Sequence, residues 1–197
     1  MTPAAPGALQ RAVDALPQGR RLLVAPHFMA DGWFVRAALR RRLKAAGAGP
    51  FDLLATMGLL PGLARLAARR AEDAAIGAGF DPLDTRVAVA GHGAPADPRP
   101  AEVVRRCAER LPRYGGFAEV TVGFVEQAPF LETALAVPAP ALSLPFFAAA
   151  GEHVTVDLPE AGRHAGFGGP IPPPIGADDA TKGVHLTIVK EPGRWRA

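Results

Sequence analysis

The sequence predicts an α/β protein built on parallel sheet, and two observations lead to this fold class. Segment 87–90 is apolar at four successive positions, which is typical of a strand buried on both faces of a parallel sheet. Similar short segments alternate with longer ones in which apolar residues recur at helical spacing. With 197 residues, 49% of them hydrophobic, the chain can bury a core in one domain or in two small ones.

The alternation of helix and strand begins near the amino terminus. The first 80 residues contain a helix over 9–16, a strand over 22–25, a helix over 34–43, a strand over 51–56 and a helix over 60–75. On the last of these helices we expect Leu63 and Leu66 to face inward.

The second half repeats this order. Strands are predicted over 87–90, 119–125 and 142–147, with helices after Pro98, over 129–136 and over 178–190. Segment 166–176 is too rich in glycine and proline for a regular element other than a brief strand.

A histidine between two glycines ends the strand over 87–90. Gly91 and Gly93 let the backbone turn without steric cost, which puts His92 at the carboxyl end of the strand. Ligands of open α/β sheets bind at that edge, because the loops there diverge and leave a crevice. Asp97 is well placed to cap the helix that follows. A turn histidine without any chemistry is the alternative interpretation.

The chain contains an internal repeat. Four pairs of residues align: Pro26 with Pro145, Phe28 with Phe147, Gly32 with Gly151 and Gly58 with Gly176. In this alignment Phe34 falls on His153. The second copy is longer, since nothing in the first corresponds to the strand before His92 and its helix, so the first copy starts midway through the repeat.

Composition and motifs argue against several classes of protein. The net charge is +3 and the pI is near 9.6, but the basic residues are scattered instead of forming a stripe that would bind nucleic acid. No apolar run approaches the ~20 residues that cross a bilayer, so we expect a cytoplasmic protein. The single Cys107 fits a helical core pattern. Phosphate-binding glycine motifs are missing, which predicts a reaction without a nucleotide.

Three blocks of the second half together resemble one protein family. They are GHG after a strand, FVEQAPFLETAL, and LPFFAAAGEHVTVDLPEA. In this order they resemble sirohydrochlorin chelatases of the CbiX type, which are class II tetrapyrrole chelatases. The resemblance covers 86 to about 191, and the first 80 residues resemble the latter part of the family's other half.

The resemblance implies a fold and an activity. The fold has two similar α/β units whose parallel sheets face a cleft, here an incomplete first unit over 1–80 and a second unit over 81–197. The activity is ATP-independent insertion of cobalt or ferrous iron into sirohydrochlorin, in cobalamin or siroheme biosynthesis. A homodimer is one way in which the incomplete cleft can be completed.

The resemblance also implies the site residues. The metal-binding and base histidines fall on His92 and His153, and the acidic residue falls on Glu126. Each lies at or just past the end of a predicted strand, so a parallel sheet brings all three to one edge. Imidazole and carboxylate suit Co²⁺ or Fe²⁺, and the same imidazoles can accept the two pyrrole protons that leave as the metal enters. Arg99 and Arg163, both predicted near strand ends, are candidates to bind the substrate's carboxylates.

Other residues near predicted strand ends have two interpretations. His27 is interpreted as structural, and Trp33 and Phe34 either pack a core or contact a flat macrocycle. His164 and His185 are expected to face solvent.

Two functional hypotheses remain open at this point. One is a chelatase that uses the two histidines and the glutamate. The other is a non-catalytic metal-binding or tetrapyrrole-binding protein that keeps these residues but lacks a complete cleft.

Overall fold

Two parallel sheets organise the protein. The computed structural model describes residues 7–16 and 22–177. In the first sheet β1 (Leu22–Val24) pairs with β2 (Phe51–Leu53). In the second sheet β3 (Arg86–Gly91) lies between β4 (Glu119–Phe124) and β5 (Ala141–Pro145), and both pairings are parallel. The predicted α/β class with parallel sheets is confirmed.

Helices alternate with these strands. They are α1 (Ala8–Asp14), α2 (Arg40–Ala45), α3 (Leu63–Gly77), α4 (Arg99–Arg110), α5 (Leu131–Leu135) and α6 (Leu158–Ala165). Two π-helical segments, Phe34–Leu39 and His153–Asp157, lead directly into α2 and α6. Helix α6 is not predicted by the sequence pattern, and the helix predicted over 178–190 lies outside the described residues.

Both faces of the second sheet are covered, as the apolar strand over 87–90 predicts. Val87 and Val89 pack in a cluster with residues of α3 and α4, whereas Ala88 and Ala90 pack with residues of α5 and α6. All four side chains are buried. This double cover holds the strands in place and leaves their carboxyl ends for a site.

Helix α3 joins the first part of the chain to the core of the second sheet. Its buried face consists mostly of alanines, including Ala67, Ala71 and Ala75, which pack in one cluster with residues of β3 and β5. Leu63 faces inward as expected, while Leu66 is half-buried and packs against the edge of this cluster. The division near residue 80 stays a prediction, as does the incompleteness of the first unit.

The internal repeat is visible in the backbone. Gly58 donates its N–H to the carbonyl of Phe28 at 3.4 Å, and Gly176 donates to the carbonyl of Phe147 at 2.9 Å. A Cβ atom on Gly58 would collide with the carbonyl of the residue after Phe28, and one on Gly176 with the carbonyl of the residue after Phe147. Both glycines are therefore required by the same close backbone approach.

None of the helices in residues 7–16 and 22–177 is long and apolar enough to cross a membrane.

Candidate active site

A cavity of about 580 Å³ lies where the carboxyl ends of the two sheets meet. Its walls come from three segments: 27–35 after β1, 92–104 after β3 and 146–154 after β5. Of the predicted site residues, His92 and His153 line this cavity, together with the aromatic residues Phe28, Phe34 and Phe147. This is the crevice expected at the carboxyl edge of parallel strands.

His92 is held by the turn that its two glycine neighbours allow. Gly93 has a φ of 72°, in the left-handed region, and a Cβ on Gly91 would press against Val104 at 2.5 Å. The Nδ1 atom of His92 lies 2.7 Å from the carbonyl oxygen of Gly93. Because a carbonyl oxygen can only accept, Nδ1 carries the proton and Nε2 of the neutral ring keeps its lone pair.

His153 is the first residue of the second π-helical segment. Its Nδ1 donates to Oδ2 of Asp157 at 2.6 Å, four residues further along the segment. This carboxylate fixes the ring so that Nε2 again carries the lone pair of the neutral form. Sequence analysis missed Asp157, although a histidine and an aspartate four residues apart would have indicated the pair if a helix had been predicted there.

The structure brings these two imidazoles together from distant parts of the chain. The ring centroids of His92 and His153 are 4.5 Å apart and the planes are at 85°. Imidazole–metal bonds are about 2 Å long, so the two rings are as close as two ligands of one ion need to be. In residues 7–16 and 22–177 no group of three or more His, Cys, Asp or Glu side chains could hold a metal ion.

Glu126 lies beside His92 and outside the lining of the cavity. Its backbone N–H donates to the carbonyl of His92 at 3.0 Å, which keeps the two residues together. The carboxylate oxygen Oε2 is 3.7 Å from Nδ1 of His92, too far for a hydrogen bond, and the side chain is half-exposed. Glu126 therefore lies on the Nδ1 side of the His92 ring.

Arg99 lies near the end of β3, as predicted, but its charge is already paired. Its guanidinium donates to both carboxylate oxygens of Asp97, at 2.7 and 3.0 Å. This pairing lowers the pKa of Asp97 below the ordinary value of 3.8, against the opposing effect of burial, and raises the pKa of Arg99. Asp97 also accepts the backbone N–H of Trp33, which ties the two cavity walls together, and that of Arg99 at the start of α4.

The predicted position of Arg163 is wrong. It lies in the last turn of α6 instead of near a strand end, and its guanidinium is 3.5 Å from Glu160. Ten residues of helix separate it from His153, a rise of about 15 Å. The cause is the unpredicted helix α6, which carries Arg163 away from the cavity lining. His164, expected in a loop, is in the same turn and faces solvent as predicted.

The first unit supplies an aromatic wall. The rings of Phe28 and Phe34 are 5.1 Å apart, and Trp33 at the same edge is 61% exposed. His27, which the sequence analysis interpreted as structural, also lines the cavity and lies 3.0 Å through Nε2 from the carbonyl oxygen of Ala148.

Cys107 belongs to the core, as its spacing predicts. Burial raises the pKa of its thiol to about 12, so the thiol stays protonated and unreactive at neutral pH.

Comparisons with known proteins found one family and several solved structures that are similar to this chain. The family model CbiX matches residues 86–179. A solved structure of CbiX, described as the terminal enzyme for biosynthesis of siroheme in denitrifying bacteria, is 43% identical to this chain, with a TM-score of 0.79. That match covers 89% of this chain and 74% of the other.

Two more distant structures share the fold. DR2241 from Deinococcus radiodurans, a multi-domain protein with structural similarity to chelatases, is 22% identical with a TM-score of 0.67, over 84% of this chain and 40% of that one. SirB from Bacillus subtilis with Fe³⁺ is 14% identical with a TM-score of 0.70, over 93% of this chain and 75% of that one. No curated protein sequence matches the chain at a significant level.

Proposed function

The chain belongs to the CbiX family of class II tetrapyrrole chelatases, and we propose that it inserts Co²⁺ or Fe²⁺ into sirohydrochlorin without a nucleotide. The observation that carries this proposal is the pair His92 and His153, 4.5 Å apart in a cavity between two units, each with Nδ1 occupied by a hydrogen bond. A cytoplasmic location, a homodimer and the lack of contact with nucleic acid or membrane stay predictions from the sequence.

The two histidines can divide the work of metal insertion. Insertion exchanges one divalent ion for the two protons on the pyrrole nitrogens, so the reaction needs a group that delivers the ion and a group that accepts protons. A neutral imidazole with a free Nε2 can do either. With two imidazoles, the ion can pass from the protein to the macrocycle while a proton passes the other way.

The cavity suits a substrate ion better than a permanent one. Two imidazoles leave most coordination positions of Co²⁺ or Fe²⁺ to water or to the nitrogens of the macrocycle. An ion held by these two imidazoles alone keeps open positions and can leave with its product.

The opposite wall supports a flat substrate. Phe28, Phe34 and Trp33 give an apolar surface across the cavity from the imidazoles, where the face of a macrocycle can pack. We propose this contact as the main source of affinity for the tetrapyrrole. Arg99 stays a proposed carboxylate ligand only through donors that it does not use on Asp97.

The test is the rate of cobalt insertion. Sirohydrochlorin and Co²⁺ are mixed with and without the protein, and the absorption of the macrocycle and the release of protons are followed together. We expect a faster change with the protein and no acceleration with a His92→Ala, His153→Ala double variant. The matched control is His164→Ala, which removes an exposed histidine on α6 and should keep the wild-type rate.

Two results would contradict the proposal. If the protein binds the macrocycle or the ion without accelerating insertion, it is a binding protein and not a chelatase. If the double variant keeps the wild-type rate, the reaction does not take place at these histidines.

A further inference from the structure

We propose that His27 is a positioning residue that fastens the two walls of the cavity and holds the loop that leads to His153. The proposal rests on the proposed function, because it concerns the placement of the imidazole that would act in metal insertion. His27 lines the same cavity as His92 and His153, but the proposed chemistry does not use it.

The contact crosses the cavity from one unit to the other. His27 follows β1, and its Nε2 is 3.0 Å from the carbonyl oxygen of Ala148, in the loop after β5. A carbonyl oxygen can only accept, so Nε2 carries the proton and donates it. His27 is half-buried, so water competes with this hydrogen bond less than it would at the surface.

The loop that His27 holds runs from the end of β5 to the start of the π-helical segment. At its start Phe146 donates to the carbonyl of Ala90 at 2.7 Å, and at its end Val154 and Thr155 donate to that of Gly151 at 2.9 and 3.1 Å. In the described part of the chain these bonds stay within the second unit. The hydrogen bond from His27 comes from the first unit and reaches the carbonyl of Ala148, in the middle of the loop.

The internal repeat shows that this histidine is a departure. The counterpart of His27 is Phe146, which is 1% exposed and packs in the core of the second unit. The first copy thus has a polar ring that reaches out of its own unit where the second copy has an apolar ring that points into its core. A residue that served only to fill its own unit would not need a donor at this position.

The consequence is a defined position for His153. When the bond is lost, the loop keeps the bonds at its two ends and the bond from Gly176 to the carbonyl of Phe147, but Ala148 loses its link to the first unit. The segment that begins at His153 can then shift. Displacement of a catalytic group by about 1 Å can cost about 10²-fold in rate. We therefore expect kcat for cobalt insertion to fall by about 10-fold to 10²-fold in His27→Ala, with little change in KM for sirohydrochlorin.

The experiment compares His27→Ala with His27→Gln. The glutamine amide reaches about as far as Nε2 and restores a donor, but it is not a base at neutral pH. We expect His27→Gln to recover kcat to within about 3-fold of wild type, because the amide again donates a hydrogen bond to the carbonyl of Ala148. Hydrogen exchange of the amides in segment 146–151 is measured in parallel, and it should be faster in His27→Ala and near wild type in His27→Gln.

The outcomes separate the two proposals. If His27→Gln loses as much kcat as His27→Ala while its loop exchanges at the wild-type rate, the ring itself takes part in the reaction and the positioning role is wrong. Unchanged exchange and kcat in His27→Ala also overturn it. If the wild-type protein inserts no metal, the proposed function fails, and the exchange of segment 146–151 still decides whether His27 holds the loop. Should His27→Ala not fold, His27→Leu replaces it in the comparison.

Discussion

The two halves of the cavity share a backbone and differ in the side chains that they present. In each half a strand and a loop lead into a π-helical segment, which begins at Phe34 in the first half and at His153 in the second. In each half a phenylalanine of the loop packs near that first residue. The ring centroids of Phe28 and Phe34 are 5.1 Å apart, and those of Phe147 and His153 are 6.2 Å apart. The first half thus has an apolar ring where the second has an imidazole.

The difference extends one turn further. His153 donates to Asp157, but the residue four positions after Phe34 is Ala38, which is buried. The first half lacks both the imidazole and the carboxylate that orients it. The repeated backbone forms without them, so His153 and Asp157 are not needed for the fold of a half. We propose that they serve the chemistry of one wall, while the other wall serves contact with the substrate.

The largest expected effect comes from removing the imidazole of the second half. His153→Ala should lower the initial rate of cobalt insertion by about 10² to 10⁴-fold, the usual contribution of a general base. Phe34→Ala, the matched change in the first half, should mainly raise KM for sirohydrochlorin, because it removes contact area and no base. Equal losses of kcat in the two variants would break the comparison, since they would give both walls the same role.

The carboxylate behind His153 should have the next largest effect. Asp157→Asn keeps an oxygen near Nδ1 but removes the negative charge, so the affinity for Co²⁺ should fall by about 10 to 100-fold, as is usual for partners of ligating histidines. Calorimetry measures this affinity. Thr155→Ala, an exposed change in the same π-helical segment, is the control and should bind as wild type. Wild-type affinity in Asp157→Asn would mean that the carboxylate does not support a metal ligand.

Glu126→Gln should have a smaller effect than either histidine variant. The carboxylate lies 3.7 Å from Nδ1 of His92 and is half-exposed, so solvent screens the interaction between the two groups. We expect the initial rate of insertion to fall by about 10-fold or less, below the usual range for a general base. A loss as large as that of His92→Ala would identify Glu126 as a direct participant.

The smallest effect concerns the junction of the two halves. Asp97 accepts hydrogen bonds from Arg99 and from the backbone of Trp33, and its pKa lies below 3.8 in the folded protein. A group with a lowered folded pKa stabilises the fold above its unfolded pKa, and this contribution disappears as the pH falls through the folded value. Asp97→Asn should therefore lower the Tm at neutral pH by roughly 2–4 °C. The difference in Tm between Asp97→Asn and wild type should disappear as the pH falls below the folded pKa of Asp97. A difference in Tm that is constant across this pH range would show that the charge of Asp97 does not stabilise the fold.

The sequence predicted the strands and the meeting of the two histidines, because the carboxyl ends of parallel strands come to the same edge whatever their separation along the chain. It did not predict the helix after His153. Three β-branched residues over 154–156 and Pro159 argue against a helix from the sequence alone, but the π-helical segment and α6 run through all four positions. The pairing of His153 with Asp157 was hidden, and Arg163 was misplaced, for this one reason.

Contacts between elements that are distant in the chain could not be predicted from the sequence pattern either. On α3 the pattern correctly placed Leu63 inward, but it did not show that alanines such as Ala67 and Ala71 form most of the buried face. Small side chains there let the helix approach the second sheet closely. The bond from His27 to Ala148 joins residues of different units and leaves no periodic signal in either.

A calorimetric titration with Co²⁺ tests most directly whether the metal chemistry belongs to the imidazoles of the second half. Wild type and His164→Ala should bind the ion with the same stoichiometry, more weakly as the pH falls, because imidazole must be neutral to coordinate. The double variant His92→Ala, His153→Ala should lose this binding while Phe34→Ala keeps it. An unchanged stoichiometry in the double variant would contradict the account, because the ion would then bind elsewhere in the protein.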